Sequence, residues 1–240
     1  MQIEGKHVVV AGGSGNLGSA IVTDLLRRGA RVTVLDRQPP RAPAEGAAFA
    51  QADAADESAV AAAFASCGPV HVLINCTGLI HSEPVINLLD PARRRHGIDS
   101  WNAVIRANLT AAFVLGSVAA EHMAATRTKG VIVNFSSIAA SGNPGQTAYA
   151  AAKAGVEALT KVWARELGPL GVRVVAIAPG FVDTESTHAA LNERALDDLK
   201  HRTPLRRLGS TAEIAGAVAF ALENDFLTGR TIAIDGGLSI

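Results

Sequence analysis

The stretch AGGSGNLG, Ala11 to Gly18, stands between an apolar, β-branched run at residues 7–10 and a helix-patterned segment at 19–26. A glycine-rich turn from strand to helix lets backbone approach a phosphate with no Cβ in the way. The helix N-terminus adds free N–H groups and the positive end of a dipole. Gly12, Gly15 and Gly18 fall at three-residue spacing, and the N–H groups of Gly15, Asn16 and Leu17 are the expected cradle for a pyrophosphate. Asparagine is the non-glycine residue that best tolerates a left-handed backbone, so Asn16 is expected to be compatible with the turn.

Outward from the turn, the run 31–35 ends in Asp36, close to the spacing of about 20 residues at which an acidic side chain meets the ribose of a dinucleotide. A carboxylate there accepts both ribose hydroxyls of NAD and repels the extra phosphate of NADP. The adjacent Arg37 would instead hold that phosphate. NAD(H) is the favoured cofactor, with NADP(H) the alternative. Further β-branched or apolar runs follow at residues 49–51, 70–74, 131–135, 172–177 and 231–234, most of them separated by helix-patterned segments. This alternation predicts an α/β doubly wound Rossmann fold, with a seven-stranded parallel sheet covered by helices on both faces. A stripe of Val156, Leu159, Trp163 and Leu167 marks a helix over 149–167, and Ser210 with Glu213 forms a capping box opening another over 214–222. The alanine-rich stretch at 59–65, after Asp56-Glu57-Ser58, fits a surface helix. Residues 1–240 read as one domain.

Composition narrows the classes of function. The 240 residues are 48% hydrophobic and 18% charged, with a formal net charge of zero, which gives no electrostatic reason to bind nucleic acid or an anionic membrane. No run of about 20 apolar residues suggests a bilayer span, and no leader pattern precedes the first strand, so a cytoplasmic protein acting on small molecules is expected. Two cysteines, Cys67 and Cys76, are too few for a disulfide framework or a zinc site and read as structural.

With Asn75-Cys76-Thr77-Gly78, Asn108, Asn134-Phe135-Ser136-Ser137, Tyr149-Ala150-Ala151-Ala152-Lys153, Pro179-Gly180 with Thr184, and Asp235-Gly236-Gly237 in this order, the chain resembles the short-chain dehydrogenase/reductase family from Lys6 to its end. The nearest resemblance is to 3-oxoacyl carrier-protein reductases, through Gly142-Asn143-Pro144-Gly145-Gln146 and the Lys153-Ala154-Gly155 segment. The resemblance implies an NAD(P)(H)-dependent oxidoreductase, commonly a homotetramer, with catalysis by Ser, Tyr and Lys plus an Asn. It also implies cofactor contacts from Asp53 at the adenine, from Asn75, Gly78, Pro179 and Gly180, and from Thr184 at the nicotinamide carboxamide. Two departures stand out: the family's more usual turn has glycine at the position of Asn16, and more often has two asparagines and an alanine where this chain has Asn75-Cys76-Thr77.

Tyr149 and Lys153 are i and i+4, on one helix face one turn apart. A neighbouring ammonium favours the phenolate, so Lys153 is expected to bring Tyr149, the only tyrosine, toward neutral acid–base work. Ser137 is the expected donor to the substrate oxygen. Ser136, thirteen residues before the tyrosine, is its rival: the family's usual spacing points to Ser136, and the local Asn-x-Ser-Ser pattern points to Ser137. By resemblance Asn108 holds a water that links Lys153 to solvent, the alternative being a helix residue bonded to backbone.

The segment 81–100, with Arg93-Arg94-Arg95-His96, is longer than the family's usual connection and is either a solvated loop or a basic contact for an anionic carrier. Residues 181–208 lie where the family has a mobile substrate lid. Three functions are carried forward: a ketoreductase of 3-oxoacyl thioesters or related ketides, an NAD-dependent dehydrogenase of a sugar or other secondary alcohol, and a non-catalytic nucleotide-binding scaffold.

Overall fold

The computed structural model describes residues 1–42, 44–90 and 94–239. Among them seven strands form one parallel sheet: β1 (His7–Ala11), β2 (Arg31–Asp36), β3 (Ala48–Gln51), β4 (Val72–Asn75), β5 (Gly130–Phe135), β6 (Val172–Pro179) and β7 (Arg230–Ile234), in the spatial order β3-β2-β1-β4-β5-β6-β7. The order reverses between β1 and β4, which opens a crevice beyond their carboxyl ends. Ala11 pairs with both Leu35 and Asn75, and Asn75 with Asn134, so the turns that follow four strands converge there.

The side-chain period of two divides the core. Val8, Val10, Ile74, Val133 and Ile177 face α1 (Asn16–Arg27), with Ile21, Val22 and Leu25, and a later helix bearing Ile214, Val218 and Leu222. Val9, Leu73, Ile132 and Val174 face the other way, onto α2 (Glu57–Ala65) with Phe64, and onto helices contributing Leu115, Met123 and Trp163. Strands buried on both faces read as continuous apolar runs, the pattern that identified them in the sequence.

The remaining helices are α3 (Ile98–Ile105), α4 (Ala111–Ala125), α5 (Thr147–Leu167), α6 (Glu185–Ala190), α7 (Glu193–Arg202) and α8 (Thr211–Glu223). Ser210 and Glu213 form the expected reciprocal cap on α8. The stretch at 59–65 lies in α2, whose N-cap Asp56 accepts from the Ala59 amide.

Within the helical run Ile98–Ala125 an 18-residue window has a mean hydropathy of 1.6, long and apolar enough by length and composition to cross a membrane, and half of that window is buried in the fold. Its apolar residues Ala112, Leu115 and Ala119 are fully buried in the core, which accounts for the hydropathy by packing. Cys67 and Cys76 are both free thiols; the Cys67 Sγ donates to Ala63 O, and burial pushes the Cys76 thiol up.

Candidate active site

Close approach explains the glycines. Gly12 has φ +75°, and a Cβ there would meet the Cys76 carbonyl carbon and the Thr77 nitrogen at 2.9 Å. A Cβ on Gly18 would sit 2.2 Å from Gly12 O, so helix and turn pack backbone to backbone. Asn16 departs from the expectation of a left-handed backbone: it is the first residue of α1 and carries no positive φ, because the reversal is made at Gly12. Its Nδ2 donates instead to Ser186 Oγ on α6, across the crevice. Among the described residues no side chain caps α1, which leaves its first N–H groups open to the cavity beside them.

Two adjoining cavities, of about 330 and 450 Å³, share Gly12, Gly15, Cys76, Thr77 and Gly78. The candidate catalytic and cofactor-contacting residues line one or the other, except Asn75 and Asn108. Asn75 is buried and shapes the turn, its Oδ1 accepting from Thr77 N at 3.1 Å and Thr77 Oγ1 at 2.6 Å.

The larger cavity runs past Asp36, Arg37 and Asp53. Asp36 accepts from the Ser14 amide at 3.1 Å and from the Gln38 amide at 3.4 Å, which fixes its carboxylate at the β2 end. Asp53 accepts from Ala55 N at 2.9 Å, and its other oxygen pairs with Arg106 at 2.9 Å. The Ala55 amide, then Arg106, hold the Asp53 carboxyl below its usual range against the opposing effect of burial.

The smaller cavity holds Ser137, Tyr149 and Lys153 together with Pro179, Gly180 and Thr184. Tyr149 and Lys153 lie on α5, both buried, with Lys153 Nζ 5.6 Å from the Tyr149 ring centroid and donating to Phe135 O at 2.8 Å. Burial pushes the lysine down to about 8. For Tyr149 the direction departs from the expectation: burial raises its phenol, opposed by hydrogen bonding with the Ser137 side chain. The two serines diverge. Ser136 is buried and donates to Glu157 Oε1 at 2.9 Å, whereas Ser137 meets Tyr149 and accepts from Ala139 N at 3.2 Å.

Asn108 lies in a π-helical turn, Arg106–Thr110, between α3 and α4. Its Nδ2 donates to Leu79 O and Val104 O, both at 2.9 Å, while its buried Oδ1 has no partner among the described residues. A Cβ on Gly78 would fall 2.7 Å from that Oδ1 and 3.5 Å from Lys153 Nζ, so the glycine keeps open a gap that both atoms face. The backbone-bonded reading and an acceptor free for a water therefore hold together. Thr184 caps α6, its Oγ1 accepting from Thr187 N at 3.2 Å.

Within the segment 81–100, Ile86 forms an antiparallel bridge with Arg95, and Arg94 and Arg95 are exposed; Arg93 lies outside the described residues. Glu83 ties the segment to the active-site wall by donating its N–H to Gly145 O at 2.7 Å. Sequence reasoning missed Arg106, Glu157 and Glu83. No motif marks them, because each acts through a partner brought near only by folding.

The chain matches a family model described as enoyl-(acyl carrier protein) reductase over residues 11–239. It is 34% identical to 3-oxoacyl-(acyl-carrier-protein) reductase of Vibrio harveyi, with 99% of both chains covered. It is 32% identical to 3-hydroxyacyl-CoA dehydrogenase type-2 of Bos taurus, covering 98% of this chain and 96% of that one. A short chain dehydrogenase from Leptospira borgpetersenii, solved with bound NAD+, superposes with a TM-score of 0.87 at 29% identity, over 99% of this chain and 94% of that one. A seven-stranded parallel sheet, a glycine turn at its switch point and matches over nearly the whole length place the chain in the short-chain dehydrogenase/reductase family of nicotinamide-dependent oxidoreductases.

Proposed function

We propose that the protein interconverts a 3-oxoacyl thioester, or a related ketide, and its 3-hydroxy form with NAD(H). The observation that carries the reading is the convergence of Ser137, Tyr149 and Lys153 in one cavity that continues past the glycine turn to Asp36. The relatives favour a substrate oxygenated at C3 of an acyl group, since the names of the Vibrio harveyi and Bos taurus proteins share that feature.

The cavity suits a dinucleotide: the glycines leave backbone bare where a Cβ would collide, and α1 leaves its first turn uncapped. Gly12, Gly15, Asn16, Leu17 and Gly18 would hold the pyrophosphate, Asp36 the ribose hydroxyls and Asp53 the adenine. Pro179, Gly180 and Thr184 would border the nicotinamide. The bound cofactor supplies a hydride donor or acceptor. Ser137 donates a hydrogen bond to the substrate oxygen and stabilises the charge that grows on it. In the reducing direction that oxygen takes the Tyr149 proton, and in the oxidising direction the alcohol proton returns to Tyr149. Lys153 and the free Asn108 Oδ1 border the Gly78 gap, through which a water would exchange the proton with solvent. The single domain 1–240 would use segment 181–208 as a lid, and exposed Phe113 on α4 and Phe220 on α8 fit burial in a homotetramer.

Fluorescence titration with NADH and NADPH, alongside Asp36→Ala, tests the cofactor. NADH is expected to bind about tenfold or more tightly than NADPH in the wild type, with the preference lost in the variant. NADPH preference would make Arg37 the phosphate partner. Turnover of acetoacetyl-CoA with the preferred cofactor tests the substrate class. Oxidation of a sugar or simple secondary alcohol instead would favour the dehydrogenase reading, and binding with no turnover of either would favour a scaffold.

A further inference from the structure

Arg106 begins the π-helical turn that carries Asn108, and its side chain reaches across the larger cavity to Asp53, on the loop after β3. The pair joins two separate elements over the space between them. Its guanidinium side chain is 55% exposed, so the bond itself adds little to stability and needs another explanation. One Asp53 oxygen is fixed by the Ala55 amide and the other by Arg106 Nη2, each at 2.9 Å. This holds the carboxylate in one orientation while leaving lone pairs for another donor. Arg37, lining the same cavity, adds a second positive charge that keeps the group an ionised acceptor.

We propose that Arg106 is a positioning residue for base recognition: it holds the Asp53 carboxylate to accept from the exocyclic amine of a 6-aminopurine and so to discriminate against a 6-oxopurine. A 6-oxo group is an acceptor and would face the carboxylate with no hydrogen between them. The inference rests on the reading of this cavity as the adenosine end of a dinucleotide site.

The test is equilibrium fluorescence titration of the full chain, as wild type, Arg106→Ala and Arg106→Lys. Three probes are used: NADH, reduced nicotinamide hypoxanthine dinucleotide and reduced nicotinamide mononucleotide. The wild type is expected to favour NADH over the hypoxanthine analogue about tenfold, as for one charge-assisted hydrogen bond. Arg106→Ala is expected to bring that ratio close to one by weakening NADH, and Arg106→Lys to recover part of it. Equal affinity for the mononucleotide in all three proteins is expected, and serves as the control for folding. An unchanged ratio in Arg106→Ala, or loss of all three ligands together, would overturn the assignment. Wild-type protein that binds both dinucleotides equally would defeat the inference alone, whereas wild-type protein that binds none would defeat the reading of the cavity as well.

Discussion

The Ser136 hydroxyl donates to the Glu157 carboxylate at 2.9 Å, while the next residue, Ser137, meets the hydroxyl of Tyr149. The alternation of an extended strand end sends adjacent side chains to opposite sides, and the proposed substrate contact goes with Ser137, the serine beside Tyr149. Ser137→Ala is expected to lower kcat/KM by about 10²–10³, the usual cost of removing a donor to a developing oxyanion. Ser136→Ala is expected to act on stability instead, costing about 1–2 kcal/mol by leaving Glu157 without that partner. Steady-state kinetics and urea denaturation on both variants separate the roles, and a kinetic collapse confined to Ser136→Ala would reverse the assignment.

Gly12 and Gly15 differ in what a methyl group would meet. A Cβ at position 12 collides with backbone at 2.9 Å and sits at positive φ, whereas one at position 15 comes only to 3.4 Å of Gly12 O. Gly12→Ala is therefore expected to destabilise the fold by about 1–3 kcal/mol and to abolish dinucleotide binding. Gly15→Ala should fold nearly as the wild type and lose affinity alone, because Gly15 lines both cavities and its Cβ would add a methyl group beside the proposed pyrophosphate site. Matched losses of stability in the two variants would contradict this division.

Lys153 carries a charge that burial disfavours, lowering it from 10.5 to about 8. Between those values the unfolded lysine holds a proton that the folded one has released. The contribution of this residue to stability therefore rises with pH across that window and is at its lowest below about 8. In urea denaturation, the stability of Lys153→Met relative to wild type is expected to be greatest near neutral pH and to shrink from pH 8 to 10.5. A difference that stays constant over the window would show that the ammonium is not desolvated.

Local features of the fold and site were legible in the sequence. The strands were visible because parallel strands are apolar throughout, and the Tyr149–Lys153 pairing because four residues along a helix is a fixed geometry. The three-residue glycine spacing located the turn but misplaced its reversal: Gly12 alone takes positive φ, which leaves Asn16 free to begin a helix. Tyr149 was read from its neighbour's charge, but its surroundings depend on how deeply α5 is buried, which spacing does not report. Arg106 and Asp53 meet only because the sheet places the loop after β3 beside the turn before α4. A pairing of that kind follows from topology and leaves no local pattern.

Glu83 lies near the start of segment 81–100 and ties its described residues in three ways. Its carboxylate accepts from Gly97 N and from His81 Nε2, each at 3.1 Å, and its own N–H donates to Gly145 O. Gly145 precedes Gln146, which with Asn143 lines the smaller cavity, so the bridged segments around Ile86 and Arg95 and the cavity wall are fastened at one residue. Hydrogen bonding from His81, then from Gly97, lowers the Glu83 carboxyl from 4.5. A depressed carboxylate stabilises fully above its unfolded value and loses that contribution as pH falls through the folded one, so the clasp is expected to hold at neutral pH and to open in acid. At neutral pH, Glu83→Ala should speed hydrogen exchange in both 82–97 and 143–147 while leaving β4 and β5 protected, with Glu83→Gln intermediate. For a substrate that touches this wall, KM is expected to rise with kcat nearly unchanged. Faster exchange confined to 82–97 would mean that this segment moves independently of the cavity wall.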